Sequence, residues 1–181
     1  VPGVSSTSAA ERPGLSEIPD AKLPTDAVLV EVLEGVPAKT SWDFPRSRPV
    51  ERWQQPEAGW IGLPRRYSSQ GLIVDRPSPF VLRARSRVDL PAGQYQFLVR
   101  ARNASRLLIN GKLIASTGFL SRNASGHETV PPAVPSQRKD LVDLSPGHNQ
   151  ALVDMTLGKP PPGGHVILLE TFVGGDRKST R

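Results

Sequence analysis

Five arginines at alternating positions are the residues of this chain best suited to hold a ligand: Arg83, Arg85 and Arg87 in "FVLRARSRV", and Arg100 and Arg102 in "FLVRAR". A guanidinium is a planar fork of N–H donors that meets carboxylate or sulfate with two parallel hydrogen bonds, so a row of them is anion chemistry. If the strands on either side of the "DLPAG" turn at residues 89–93 pair as a hairpin, all five share one sheet face, where like charges repel. Solvent, a carboxylate such as Asp154 or Glu170, a second domain docked on the face, or an anionic glycan would each offset that repulsion. Trp42, Trp53, Trp60 and Tyr67 form the other candidate surface. Flat rings stack on sugars and anchor protein interfaces, and they serve equally well as a second core over an open sheet.

Other chemistries find less to work with. Cysteine is absent, which excludes disulfides, thiolate metal sites and a cysteine nucleophile. His127, His148 and His165 do not fall at metal-ligand spacing. "GLS" and "SPGHNQ" are not nucleophile elbows, and "PPPGGH" lacks the Lys and Ser/Thr of a phosphate-binding loop. No catalytic residue, metal or cofactor is therefore expected. The net charge of +6 favours anionic partners in general. The basic residues are nevertheless spread along the chain without a nucleic-acid module signature, so nucleic acid is not an expected partner. No apolar run is long enough to span a membrane, and the start, lacking Met and an apolar signal core, reads as a processed chain or a piece of a larger one.

The elements that must position these residues are strands. With 19 Pro and 16 Gly in 181 residues, regular structure is interrupted often, and short strands joined by turns fit better than helices. Residues 1–26 have the composition of a linker or tail and are expected to add little core. A first strand is expected over 27–35, then a Pro-rich segment over 36–77 that wraps the sheet and contains a short strand at 71–75. From Phe80 to Val88, Phe80, Leu82, Ala84 and Val88 face one way and Val81, Arg83, Arg85 and Arg87 the other. Tyr95, Phe97, Val99 and Ala101 form the next apolar row. Asn110-Gly111 predicts a tight hairpin, and two more strands are expected at 150–158 and 164–175. The expected fold is all-β, an antiparallel β-sandwich or jelly roll with long Pro-rich loops and little or no helix, spanning 27–175, with a tail at 176–181.

The run "LPAGQYQFLVRARNASRLLINGKLIAST" resembles the core signature of the protective-antigen-type (PA-fourteen) domain. Pro91, Gly93, Tyr95 and Phe97 match its first strand, and Leu107, Ile109, Asn110 and Gly111 its hairpin, while "HVILLETFVGG" is similar to its closing strand. The wider arrangement looks like the version found in large extracytoplasmic planctomycete-type multidomain proteins, some of which carry cytochrome-like domains. Members that bind glycans through calcium use two adjacent Asp in the loop after the Tyr/Phe strand; here Arg102 and Asn103 stand there, and a cation does not supply the anionic oxygens calcium needs. The resemblance implies a noncatalytic, extracytoplasmic recognition or assembly module. It would bind polysaccharide without calcium through Trp42, Trp53, Trp60, Tyr67, Arg102, Asn103, Arg106 and Asn110, or else dock on other domains or subunits. "NAS" at 103–105 and 123–125 also fits an N-glycosylation acceptor.

Overall fold

The structure is a computed structural model and describes residues 14–37, 41–60, 62–119 and 131–174. Among the described residues the chain is an antiparallel β-sandwich: β1 (Val28–Leu33), β2 (Glu51–Gln55), β3 (Phe80–Val88), β4 (Gly93–Ala101), β5 (Ser105–Ile109), β6 (Lys112–Ser116), β7 (Asn149–Leu157) and β8 (His165–Val173). One short 3-10 turn, Asp20–Lys22, precedes them. No helix among these residues is long and apolar enough to cross a membrane.

The layers are unequal. One sheet has six strands in the order β2-β1-β3-β8-β5-β6, and the other has two, β4-β7. In β1 and β3 both side-chain rows are buried, as expected of central strands covered on both faces. The inner row, Val28, Val30, Val32, Leu82 and Ala84, packs under Trp53, Trp60 and Leu63. Farther along the same face, Leu107 and Ala115 meet Val99, Phe97 and Val153 of the two-stranded sheet. The outer row carries Leu33, Val81 and Phe172, packed with Val36, Phe44 and Trp42. At the β5–β6 hairpin, Asn110 (φ 49°) and Gly111 (φ 78°) take the left-handed backbone that the Asn-Gly pair predicts.

Three sequence expectations change. The turn at 89–93 does not close a hairpin: β3 pairs with β1 and β8, and β4 pairs with β7, so the turn carries the chain from one sheet to the other. Arg83, Arg85 and Arg87 consequently share no face with Arg100 and Arg102. Cross-strand charge accounts for the choice, because Arg83 lies between Glu31 of β1 and Glu170 of β8, whereas the hairpin would bring arginines together. Residues 14–26 pack on the sheet, and Leu23 is 2% exposed. Finally, 71–75 forms only an isolated bridge, Tyr67 to Ile73, while the segment's actual strand is β2.

Candidate functional site

The outer face of the six-stranded sheet holds a ladder of alternating charge. Arg52, Glu31, Arg83, Glu170 and Arg106 are successive cross-strand neighbours through β2, β1, β3, β8 and β5. Glu31, fully buried, accepts from Arg52 at Oε1 (2.6 and 2.9 Å) and from Arg83 (2.9 Å) and Arg85 (3.0 and 3.2 Å) at Oε2. Burial pushes the Glu31 carboxyl upward, but the Arg52 hydrogen bonds together with the charges of Arg83 and Arg85 outweigh it and hold the group below its ordinary value. Glu170, 1% exposed, is gripped by Arg46 (3.0 Å to Oε2, with a second contact to Oε1) and Arg106 (2.6 Å).

A strap made of residues 14–24 covers this face. The N–H of Leu15 donates to the Pro49 carbonyl (2.6 Å), and Arg52 donates to the Ser16 carbonyl (2.7 Å). Arg83 meets Glu17 (2.8 Å), and Arg85 donates to the Ile18 carbonyl (2.9 Å). Arg87 donates from its side chain to the Leu23 carbonyl (3.3 Å) and from its backbone to that of Pro24 (2.9 Å). Of the offsets considered for the basic row, internal pairing is the one found for Arg83, Arg85 and Arg87, with Arg83 9% and Arg85 6% exposed. Neither carboxylate named from sequence supplies their side-chain hydrogen bonds: Glu170 binds Arg46 and Arg106, and Asp154 accepts from Gln96 (2.9 Å).

The aromatic candidates do not form one surface. Trp42 lies on the outer face among Phe44, Phe119 and Phe172, with the Arg106 guanidinium 4.5 Å from its ring centroid. Trp53 and Trp60 lie on the inner face, and Trp53 donates to Gln55 (2.9 Å). Tyr67 is 51% exposed on the turn that also presents Leu72 and Ile73. The polar candidates are separated as well, since Asn103 and Asn110 flank opposite ends of β5. Asn103 Oδ1 caps the Ala104 N–H (2.8 Å), and Asn110 clamps the start of β8 through Val166 and His165. His127 and the second "NAS" lie outside the described residues.

The feature that sequence reading missed is a cleft of about 630 Å³ on the inner face. Leu82, Ile167, Leu169 and Thr171 form its floor, Phe97 to Ala101 of β4 with the adjoining Arg102 one wall, and Trp60 and Leu63 the other; His148 also borders it. Ser105 and Thr171 on its lining bond to each other (2.8 Å), but Arg100 Nε and Nη2 and Trp60 Nε1 are buried with no hydrogen-bond partner. Buried polar groups are normally satisfied, so two orphaned side chains on one cleft mark it as a place for something else. Among the described residues its lining contains no carboxylate, and no group of three or more His, Cys, Asp or Glu is placed to hold a metal ion. The sequence signal was Arg100 itself, an arginine in an otherwise apolar strand, but its separation from Arg83 could not be read without the pairing.

No family model matches the chain, and no curated protein matches it. Among solved structures it is similar to a β-glucosidase from Kluyveromyces marxianus in complex with glucose, at 11% identity and a TM-score of 0.45. The match covers 81% of this chain and 14% of the β-glucosidase chain, and a likeness this weak carries no argument about activity.

Proposed function

We infer that the chain is a noncatalytic recognition or assembly module whose binding surface is the cleft between β4 and the Trp60 segment. The observation that carries this reading is the coincidence, in one apolar groove of ligand-sized volume, of two partly buried side chains whose buried donors lack acceptors. The chain's most buried carboxylates support the noncatalytic part, because Glu31 and Glu170 are each held by arginines on the opposite face, away from the cleft. Docking on protein fits better than binding sugar, since Trp42 and Trp53 are spent on packing and no aromatic platform assembles. An extracytoplasmic, multidomain setting is what the resemblance of residues 90–117 implies.

Trp60 beside Arg100 favours one second reading, a polysaccharide site without calcium. Affinity electrophoresis against neutral and anionic polysaccharides, with and without calcium and at low and high salt, separates the two. The docking reading expects no retention that survives salt, because exposed charges alone are screened. Salt-resistant retention lost on Trp60→Ala would replace it with a carbohydrate module, and turnover of aryl glycosides would overturn the noncatalytic reading.

A further inference from the structure

The cleft has a polarity that narrows its occupant, a narrowing that rests on the cleft being the recognition surface. β7 packs on β6, the outermost strand of the large sheet, while β4 packs on β5 and β6. The other edge of β4 therefore faces the middle of the large sheet, over β8 and β3, and among the described residues no strand pairs with it. That edge is the cleft wall from Phe97 to Ala101, a run of roughly 17 Å at about 3.4 Å per residue. Unpaired strand edges are templates for another strand, and proteins that do not use them usually cover or charge them. Among the described residues the second layer of the sandwich stops at β4, two strands against six.

We propose that the cleft receives an extended strand from another polypeptide, which pairs with the free edge of β4 along Phe97–Ala101, seats alternate apolar side chains on Leu82 and Leu169, and offers a carboxylate to Arg100. Each part answers an observation. A strand beside β4 continues its alternation, with one row toward the floor as Phe97, Val99 and Ala101 are, and the other on the side of Leu98 and Arg100. An acceptor on that second row meets the guanidinium with a charge-assisted hydrogen bond. Gln150, opposite Arg100 on β7, has an unpartnered amide oxygen, but its two lone pairs cannot satisfy the three N–H bonds on Nε and Nη2, and Trp60 stays unpaired in any case. The net charge of +6 draws an acidic segment rather than a basic one. A second copy of the chain is a poorer occupant, because its β4 comes with β7 beside it and a whole sheet beneath, too thick for a groove walled by Trp60.

The test pans the full chain against a phage-displayed library of random nonapeptides, and the enriched peptides are synthesised and measured by fluorescence anisotropy. Enriched peptides are expected to alternate apolar and polar residues, lack proline at the centre and carry Asp or Glu. Changing that carboxylate to its amide should weaken binding roughly tenfold. Arg100→Gln should erase the tenfold preference and Arg100→Lys should retain part of it; the second variant keeps the charge if the first fails to fold. Hydrogen exchange should show new protection at alternate amides of 97–101, those directed away from β7. No enrichment, binding indifferent to a central proline, or a dimer that forms in proportion to concentration and blocks the peptide would each overturn the proposal. Protection that maps to Trp60 and Leu63 but not to β4 would remove the strand and leave the cleft as the recognition surface, whereas salt-resistant polysaccharide retention on Trp60 would remove both.

Discussion

On the outer face of the large sheet Arg52, Arg83, Arg85 and Arg87 each meet a carboxylate or a carbonyl; over its inner face Arg100 has two nitrogens that meet nothing. The residue type is the same, and for Arg83 and Arg85 the neighbouring sequence is similar to that of Arg100, an arginine within an alternating apolar strand. What differs is the supply of acceptors. The outer face collects Glu31, Glu170, Glu17 and the carbonyls of the strap, all brought by the fold to one surface. Satisfied in this way, buried arginines are part of the scaffold, whereas an unsatisfied one costs stability that the fold does not recover within itself.

The largest effect should come from removing the shared acceptor. Glu31→Ala leaves Arg52, Arg83 and Arg85 without their common partner and is expected to cost roughly 3–5 kcal/mol by urea denaturation, or to prevent folding. A loss below about 1 kcal/mol, the size of an exposed pair, would mean that the ladder is not the scaffold. The same contrast has a pH signature. Because the Glu31 carboxyl titrates lower in the folded chain than its ordinary 4.5, its contribution is complete above that value. It is then lost as the pH falls through the lowered folded value. Acid denaturation of the wild type should therefore be steeper below pH 4.5 than that of Glu31→Gln, and parallel curves would sink the assignment.

Trp42→Ala opens the Phe44, Phe119 and Phe172 cluster and removes the stack under Arg106, an expected loss of roughly 3 kcal/mol in the same measurement. If stability holds and ligand binding falls instead, Trp42 belongs to a recognition surface after all. Arg100→Leu should go the other way, raising stability by about 1 kcal/mol by relieving an unpaired group, seen as a higher thermal midpoint. Should it destabilise as Glu31→Ala does, the distinction between the two faces fails. Glu17→Ala is the smallest: its carboxylate is half exposed, and losing the Arg83 contact should cost only about 0.2–1 kcal/mol.

Much of the fold was legible because alternation and turn chemistry are local. The rows Phe80, Leu82, Ala84 and Val81, Arg83, Arg85 were read correctly as opposite faces, and Asn110-Gly111 as a tight hairpin. What could not be read is which face meets water. Arg83 is buried by Glu17 and Glu31, more than fifty residues earlier in the chain, and no window of sequence displays that meeting. β2, with the sequence "ERWQQ", offers no apolar alternation and is held as an edge by its pairing to β1, so it read as loop. The cleft escaped for the same reason: Arg100 is close to Arg83 in the chain, and only the observed strand order separates the one from the other's acceptors.

The strap has a mechanical consequence. Its anchors come in sequence, Leu15 on Pro49, Ser16 on Arg52, Glu17 on Arg83, Ile18 on Arg85, and Leu23 and Pro24 on Arg87. Tension applied ahead of Gly14 would load them one after another, as a zip opens, and each would yield at low force before the next is strained. Until Pro24 is freed, β1 feels the pull only through the arginines that grip Glu31.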